Sequence, residues 1–327
     1  MLTQVNAAIH APVEPWFDPR RREALLRLLG VLDDTDYTFV TPTPGTHTRV
    51  LKRRPDATAA SLRDVLGWSL PFERDLLDPA LLAAMEDAGA VHSRHDGRLA
   101  PLLRASRVEG RLFLHSAYPT AAHDAVFLGP DSARFAQLIA ARLLPEAERI
   151  LDYGAGAGVG GITAAALARG ASLTLADVNP KALFLAGINA EHAGLRHEEI
   201  EVAEPQAIGR AFDLVVTHPP FMIDTERRAY RDGGGLYGAQ LSLDWTLQAI
   251  RLLAPGGRLI LHTGVSIVDG RDVLLDALRE RLPAIGYAMD YHELDPDIFS
   301  EDLDQPGYEE VERIAAVGLV VRRTDPA

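Results

Sequence analysis

Apolar positions along this chain keep two different periods, and the change between them falls near residue 126. Before it, helical spacing prevails. In "DPRRREALLRLLGVL", Asp18 stands where a cap belongs and Pro19 takes the first helical position. Leu25, Leu28, Leu29 and Leu32 then fall on one face. "DPALLAAMEDAG" repeats that start signal at Asp78 and Pro79 and stops at Gly89. Two β-prone pieces, "LLRASRV" and "RLFLHSA", joined at Glu109-Gly110, predict a hairpin. Helices followed by a hairpin suggest a small, winged-helix-like N-terminal domain over residues 1–125.

After residue 126 short apolar runs alternate with helical patterns. "ERILDYG", "SLTLADV", "EIEVAE", "FDLVVTH", "RLILHTG", "AMDYHEL" and "RIAAVGLVVRR" read as strands. "GITAAALARG", "PKALFLAGINAEHAG", "LSLDWTLQAIRLLAPGG" and "GRDVLLDALRERLP" read as helices, the third closing in a Pro-Gly-Gly turn. Such alternation predicts a doubly wound α/β sheet over residues 126–327.

Composition narrows the function classes. The 327 residues are 47% hydrophobic, enough for a large core, and contain no cysteine, which excludes disulfides and thiol catalysis. Neither a secretory leader nor a bilayer-length apolar run is evident, so a cytoplasmic protein is expected. The net charge is −13; residues 1–125 hold 15 basic and 16 acidic groups, residues 126–327 hold 18 and 30. An acidic surface repels phosphate backbones. The expectation is a small-molecule substrate or a protein partner, with nucleic acid not favoured, no membrane and a possible homodimer. The basic stretch Arg49–Pro55 is expected to be a solvated loop. His92 and His95 have metal-like spacing but lie in a loop with Arg94 and without a nearby cysteine, so no metal is expected. The carboxylates of Asp295–Glu310 lack an ordered ligand pattern, and that segment is expected to be a solvated loop between two late strands.

Candidate chemistry gathers at two strand ends. "LDYGAGAGVGG" follows a strand and opens a helix; Gly154, Gly156 and Gly158 allow a tight turn and close approach of a ligand to helix N–H groups. Asp177 closes the next strand, 23 residues after Gly154, where a carboxylate can accept both hydroxyls of a ribose. The second strand end is "FDLVVTHPPFM". Its prolines cannot donate to a ladder, so the chain leaves the sheet there and presents His218 and Phe221.

With Asp152 before it, "LDYGAGAG" resembles the first motif of class I S-adenosylmethionine-dependent methyltransferases, whose sheet has seven strands. "LADVNP" and "LLAPGGRLIL" extend the resemblance over residues 126–327. It implies S-adenosyl-L-methionine as cofactor. Asp152 and the Gly154–Gly158 backbone would hold its methionine half, Asp177 the ribose, and Glu204, with Glu201 as the alternative, the adenine. Thr217 falls beside this group at the strand end. "THPPF" is similar to the Asn/Asp-Pro-Pro-Tyr/Phe motif of that superfamily, in which the first residue accepts hydrogen bonds from a planar nitrogen and the aromatic ring stacks on it. The glycine-rich "AYRDGGGLYGAQLS" is similar to the substrate loop of the glutamine- and base-modifying branch.

Here His218 replaces the amide. A neutral imidazole offers one donor and one acceptor and can take a proton. The expected role is therefore base or amine partner, with Phe221 and Tyr237 beside the reacting centre. Pro219 and Pro220 would stiffen the loop; Tyr118 and Phe127 would supply aromatic faces near the sulfonium. The first reading is methyl transfer to an O or N atom of a small molecule. The alternatives are cyclisation of the cofactor to azetidine-2-carboxylate with release of methylthioadenosine, an RNA or release-factor methyltransferase, and a catalytically dead cofactor-binding regulator.

Overall fold

The computed structural model describes residues 18–54 and 57–324. Its first part holds helices α1 (Pro19–Asp34), α2 (Pro44–Lys52), α3 (Leu62–Leu66) and α4 (Pro79–Asp87), then strands β1 (Val91–Ser93), β2 (Leu99–Pro101), β3 (Leu103–Val108) and β4 (Arg111–Ser116). Asp18 caps α1 by accepting the Arg20 N–H, and Leu25, Leu28, Leu29 and Leu32 are all buried. Asp78 caps α4 in the same way. The β3–β4 hairpin turns at Glu109 (φ 46°) and Gly110 (φ 78°). Two successive positive φ values give the two-residue connection whose twist matches antiparallel strands. The basic stretch is not a loop throughout: Arg49–Lys52 form the last turn of α2, and Pro55 lies outside the described residues.

The remainder comprises α5 (Pro130–Arg142), β5 (Arg149–Tyr153), α6 (Val159–Leu167), β6 (Ser172–Asp177), α7 (Pro180–His192), β7 (His197–Glu201), β8 (Phe212–Thr217), α8 (Gln240–Ala249), β9 (Leu253–Val268), β10 (Arg271–Asp272), α9 (Val273–Arg281), β11 (Tyr287–Asp295) and β12 (Arg313–Arg323). Seven strands form one sheet in the order β7-β6-β5-β8-β9-β12-β11, with β10 attached to β9. The strands from β7 to β9 run parallel; β12 and β11 are antiparallel to their neighbours.

Alternate residues of the central strands serve two cores, as a period of two requires. Ile150, Leu214, Val216 and Ile260 pack with Phe135, Ile162 and Leu183 of α5, α6 and α7. Leu151, Val215, Leu259 and Leu261 pack with Leu243, Leu274 and Leu278 of α8 and α9. The first of these cores runs without a break into the N-terminal helices through Leu25, Phe72 and Phe113.

Two sequence expectations shift. "EIEVAE" pairs with β6 from His197 to Glu201, so Val202 and Glu204 lie beyond the strand. The Pro-Gly-Gly turn falls inside β9: Phe212 faces Leu253 but Leu214 faces Arg258, so Ala254–Gly257 loop out of register. Among the described residues no helix is long and apolar enough to cross a membrane.

Candidate functional site

A cavity opens at the carboxyl ends of β5, β6 and β8, where an open parallel sheet exposes its loops. After β5 the chain turns through Gly154 (φ 71°) and Gly156 (φ 55°), a conformation that favours glycine. A Cβ on Gly154 would lie 2.5 Å from the Trp245 ring, whereas one on Gly156 would meet nothing within 4 Å and would project into space. Asp177 Oδ2 accepts the Gly156 N–H at 2.9 Å, and its Oδ1 accepts the Asn179 N–H at 2.9 Å. Burial raises the Asp177 carboxyl, and those backbone donors oppose the rise. Asp152 is buried beneath the loop and accepts the Gly161 N–H at 2.7 Å. Burial pushes its carboxyl up to about 8; the Gly161 bond works against that and the Asp177 charge works with it. Trp245 meets Tyr153 edge-on at 4.5 Å and, with Val178 and Val202, gives this end of the cavity an apolar wall.

The other end is built by the loop after β8. Thr217, fully buried, donates to the Tyr153 carbonyl at 2.7 Å and ties the two strand ends together. The His218 ring lies between Phe135, 5.6 Å away, and Phe221, 5.7 Å away. Its Nδ1 donates to the His262 carbonyl at 2.8 Å, and its Nε2 lies 3.2 Å from Asp131 Oδ2. Both ring nitrogens are therefore engaged within the protein. His262 is fully buried; burial holds its imidazole well below the ordinary range, and the neighbouring charges of His218 and Arg134 act in the same direction.

Phe221 sits over Gly264, where a Cβ would overlap its ring. The glycine-rich segment grips the same loop from outside. Gly233 donates to the Met222 carbonyl at 2.8 Å, and Met222 donates to the Arg231 carbonyl at 3.0 Å. A Cβ on Gly238 would collide with the Phe221 carbonyl.

The cavity brings together Asp152, Gly154, Gly156, Asp177, His218, Pro219, Pro220, Phe221 and Phe127. Other expected residues stand apart. Gly158 (φ 81°) caps α6, where a Cβ would press on Ile162 and Ala186. Glu204 is exposed and precedes a short 3-10 turn; Glu201, also exposed, ends β7. Tyr118 stacks on His47 at 4.0 Å, inside the N-terminal part. Tyr237 (φ 51°) directs its hydroxyl to Glu310 at 2.5 Å, outside the cavity lining. Tyr118 and Tyr237 thus do not line the cavity.

Sequence reasoning missed Asp131, Trp245, Val202, Tyr230 and Phe299, all of which line the cavity. Phe299 comes from the acidic 295–310 segment. That segment is not simply solvated: Ile298, Phe299 and Tyr308 are buried and pack with Phe221 and Met222. The buried aromatics in "DIFSEDLDQPGY" were the available signal.

Residues 121–263 match the methyltransferase small domain. The release factor glutamine methyltransferase of Deinococcus radiodurans is 32% identical over 128 residues, 36% of this chain and 46% of that protein. The enzyme of the same name from Salmonella typhimurium is 31% identical over 148 residues, 41% of this chain and 53% of that protein. The chain thus spans about half the length of the curated relatives it matches. A solved 16S rRNA methyltransferase of T. thermophilus, in complex with AdoMet and guanosine, aligns over 78% of this chain and 64% of its own, with TM-score 0.43 and 17% identity. The fold is that of the class I methyltransferases. The expectation of a small-molecule substrate is overturned: the curated relatives are named for a protein substrate, the glutamine of a release factor. None of these names refers to cyclisation of the cofactor.

Proposed function

We propose that this chain transfers a methyl group from S-adenosylmethionine to an amide nitrogen of a protein side chain. One observation carries the reading. A single cavity joins the glycine loop, Asp152, Asp177 and the Trp245 wall to the His218-Pro219-Pro220-Phe221 loop. A nucleoside site and a planar-nitrogen site are therefore contiguous. The relatives named for a glutamine substrate support the amide as acceptor.

The residues present fit the cofactor. Gly156 leaves open space where any side chain would intrude. Each Asp177 oxygen already accepts one backbone N–H and keeps a lone pair for a ribose hydroxyl. Asp152 is a buried acid suited to a primary ammonium. Val178, Val202 and Trp245 offer apolar contact to a base. When bound, S-adenosylmethionine supplies a methyl group made electrophilic by the sulfonium. The protein's part is to hold the acceptor nitrogen in line and exclude water. Phe221, with Phe127 and Tyr230 across the cavity, offers aromatic faces to a planar group.

We assign the N-terminal part, up to about residue 125, to covering the site. The segment leading into α5 crosses the cavity: Tyr230 donates to the Thr120 carbonyl and Asn179 Nδ2 to the Asp124 carbonyl. The division there is one of role, because a single core runs through both parts.

The test is incubation with labelled S-adenosylmethionine and a purified release factor, followed by mass spectrometry of its peptides. A methyl group on a glutamine side chain is expected. Label transferred to rRNA or tRNA instead, or methylthioadenosine released from the cofactor alone, overturns the reading.

A further inference from the structure

We propose that Asp131 is the residue that receives the acceptor's N–H, with His218 as the group that positions and balances it. The inference rests on the amide-methylation reading above. It starts from hydrogen bonding around His218. A carbonyl can only accept, so the 2.8 Å contact with the His262 carbonyl puts a proton on His218 Nδ1. The 3.2 Å contact between Nε2 and Asp131 Oδ2 then needs a second proton, on one atom or the other. Either way the ring has no lone pair left for a substrate. The histidine at the motif's first position cannot perform the acceptor role that an amide or carboxylate performs there.

Asp131 can. It is 3% exposed and lies in the first turn of α5, after Gly129 and Pro130. Its Oδ1 is buried and has no hydrogen-bond partner. A buried carboxylate oxygen left unpaired is unfavourable, because it has lost water without gaining a donor. That oxygen lies toward Phe127: a single point, the position of a Cβ on Gly129, is 2.8 Å from Asp131 Oδ1 and 2.7 Å from Phe127 Cζ. Phe127 lines the cavity, and so does Asp131. Because that oxygen has no exposed surface, a planar amide entering against Phe127 would meet it with its N–H by displacing the side chain that covers it. The acceptor missing from "THPPF" is thus supplied from another element, 87 residues earlier in the chain.

The transfer step balances. The amide nitrogen's electron pair forms the bond to the methyl carbon. The carbon–sulfur bond breaks toward sulfur, which becomes neutral. The nitrogen loses one proton to the Asp131 carboxylate, and the His218 contact retains the pair's other proton.

Asp131→Asn tests this, since it keeps the shape and removes the charge. With release factor as substrate, kcat should fall about 10²–10⁴-fold while the cofactor Kd stays within about threefold. His218→Asn combined with Asp131→Asn should cost little more than Asp131→Asn alone, because the two act as one unit. An Asp131→Asn enzyme with parental kcat, on a parent proven to methylate the amide, overturns the inference. A parent that methylates no protein amide defeats the functional reading instead. If the Asn variant does not fold, Asp131→Ala with added formate decides. Recovery of turnover supports the assignment, and a folded, inactive Ala variant that formate does not restore refutes it.

Discussion

Asn189 bonds both backbone groups of Leu114. Its Oδ1 accepts the Leu114 N–H at 2.9 Å, and its Nδ2 donates to the Leu114 carbonyl at 3.1 Å and to the Ala157 carbonyl at 2.9 Å. One buried amide in α7 thus clamps the β3–β4 hairpin of the N-terminal part to the glycine loop. Asn189→Ala would leave three buried backbone groups unpaired. A loss on the order of 2–4 kcal/mol is expected, discounted from one to three for each group because the site relaxes. Urea unfolding with an unchanged slope and a lowered midpoint checks it. A midpoint equal to the parent's would mean the clamp carries no stability.

Gly264→Ala tests how tightly the Phe221 ring is held. The added Cβ would overlap that ring, and the ring cannot retreat freely because Gly233 and Gly238 hold its backbone. Overpacking of this kind destabilises by about 1–3 kcal/mol. The expected result is a lower thermal midpoint and a larger fall in kcat than in cofactor affinity. Parental values of both would show that the loop is more pliable than its packing implies.

Asp177→Ala removes two acceptors for a ribose and also frees the Gly156 and Asn179 N–H groups. Binding of S-adenosylmethionine should weaken by about 2–4 kcal/mol, a Kd increase of about 30- to 700-fold. Calorimetry on the folded variant reads this directly. An unchanged Kd would remove Asp177 from the cofactor site.

The sheet was legible because its signals repeat. The central strands are short and rich in apolar residues, and helices carry proline or glycine punctuation, as at Pro180 and Gly194. The glycine loop and Asp177 were legible because their spacing is local. What stayed hidden depends on single residues meeting across long separations. Asp131 reaches His218 over 87 positions. Asn189 reads as one polar residue in an apolar helix, and nothing in its neighbourhood announces Leu114, 75 positions away. Phe299 was masked by the carboxylates around it, although the 295–310 segment buries its aromatics against Phe221 and Met222. The loop in β9 was missed because Pro255 and two glycines suggest a turn, while the chain resumes the same strand three residues later.

Asp152 carries the last prediction, which concerns pH. Its carboxyl is pushed up to about 8 by burial, against an unfolded-state value of about 3.9. A raised folded value means the native protein holds a proton that the unfolded chain releases near pH 4. The stability this contributes is fully present below that pH. It is lost as pH rises toward 8. Asp152→Asn still offers an oxygen to the Gly161 N–H but has no charge to bury. Without ligand, the variant should therefore match the parent near pH 4 and unfold at a higher temperature near pH 8. Cofactor binding should show the opposite preference. A primary ammonium beside Asp152 favours the carboxylate, so at pH 7 binding by the parent should release a proton, and affinity should rise between pH 6 and 8. The Asn variant should bind more weakly and release fewer protons. Calorimetry in two buffers of different ionisation enthalpy measures the release. Scanning fluorimetry across pH measures the stability crossover. Parallel melting curves for parent and variant from pH 4 to 8 would place the proton elsewhere and take Asp152 out of the methionine-binding role.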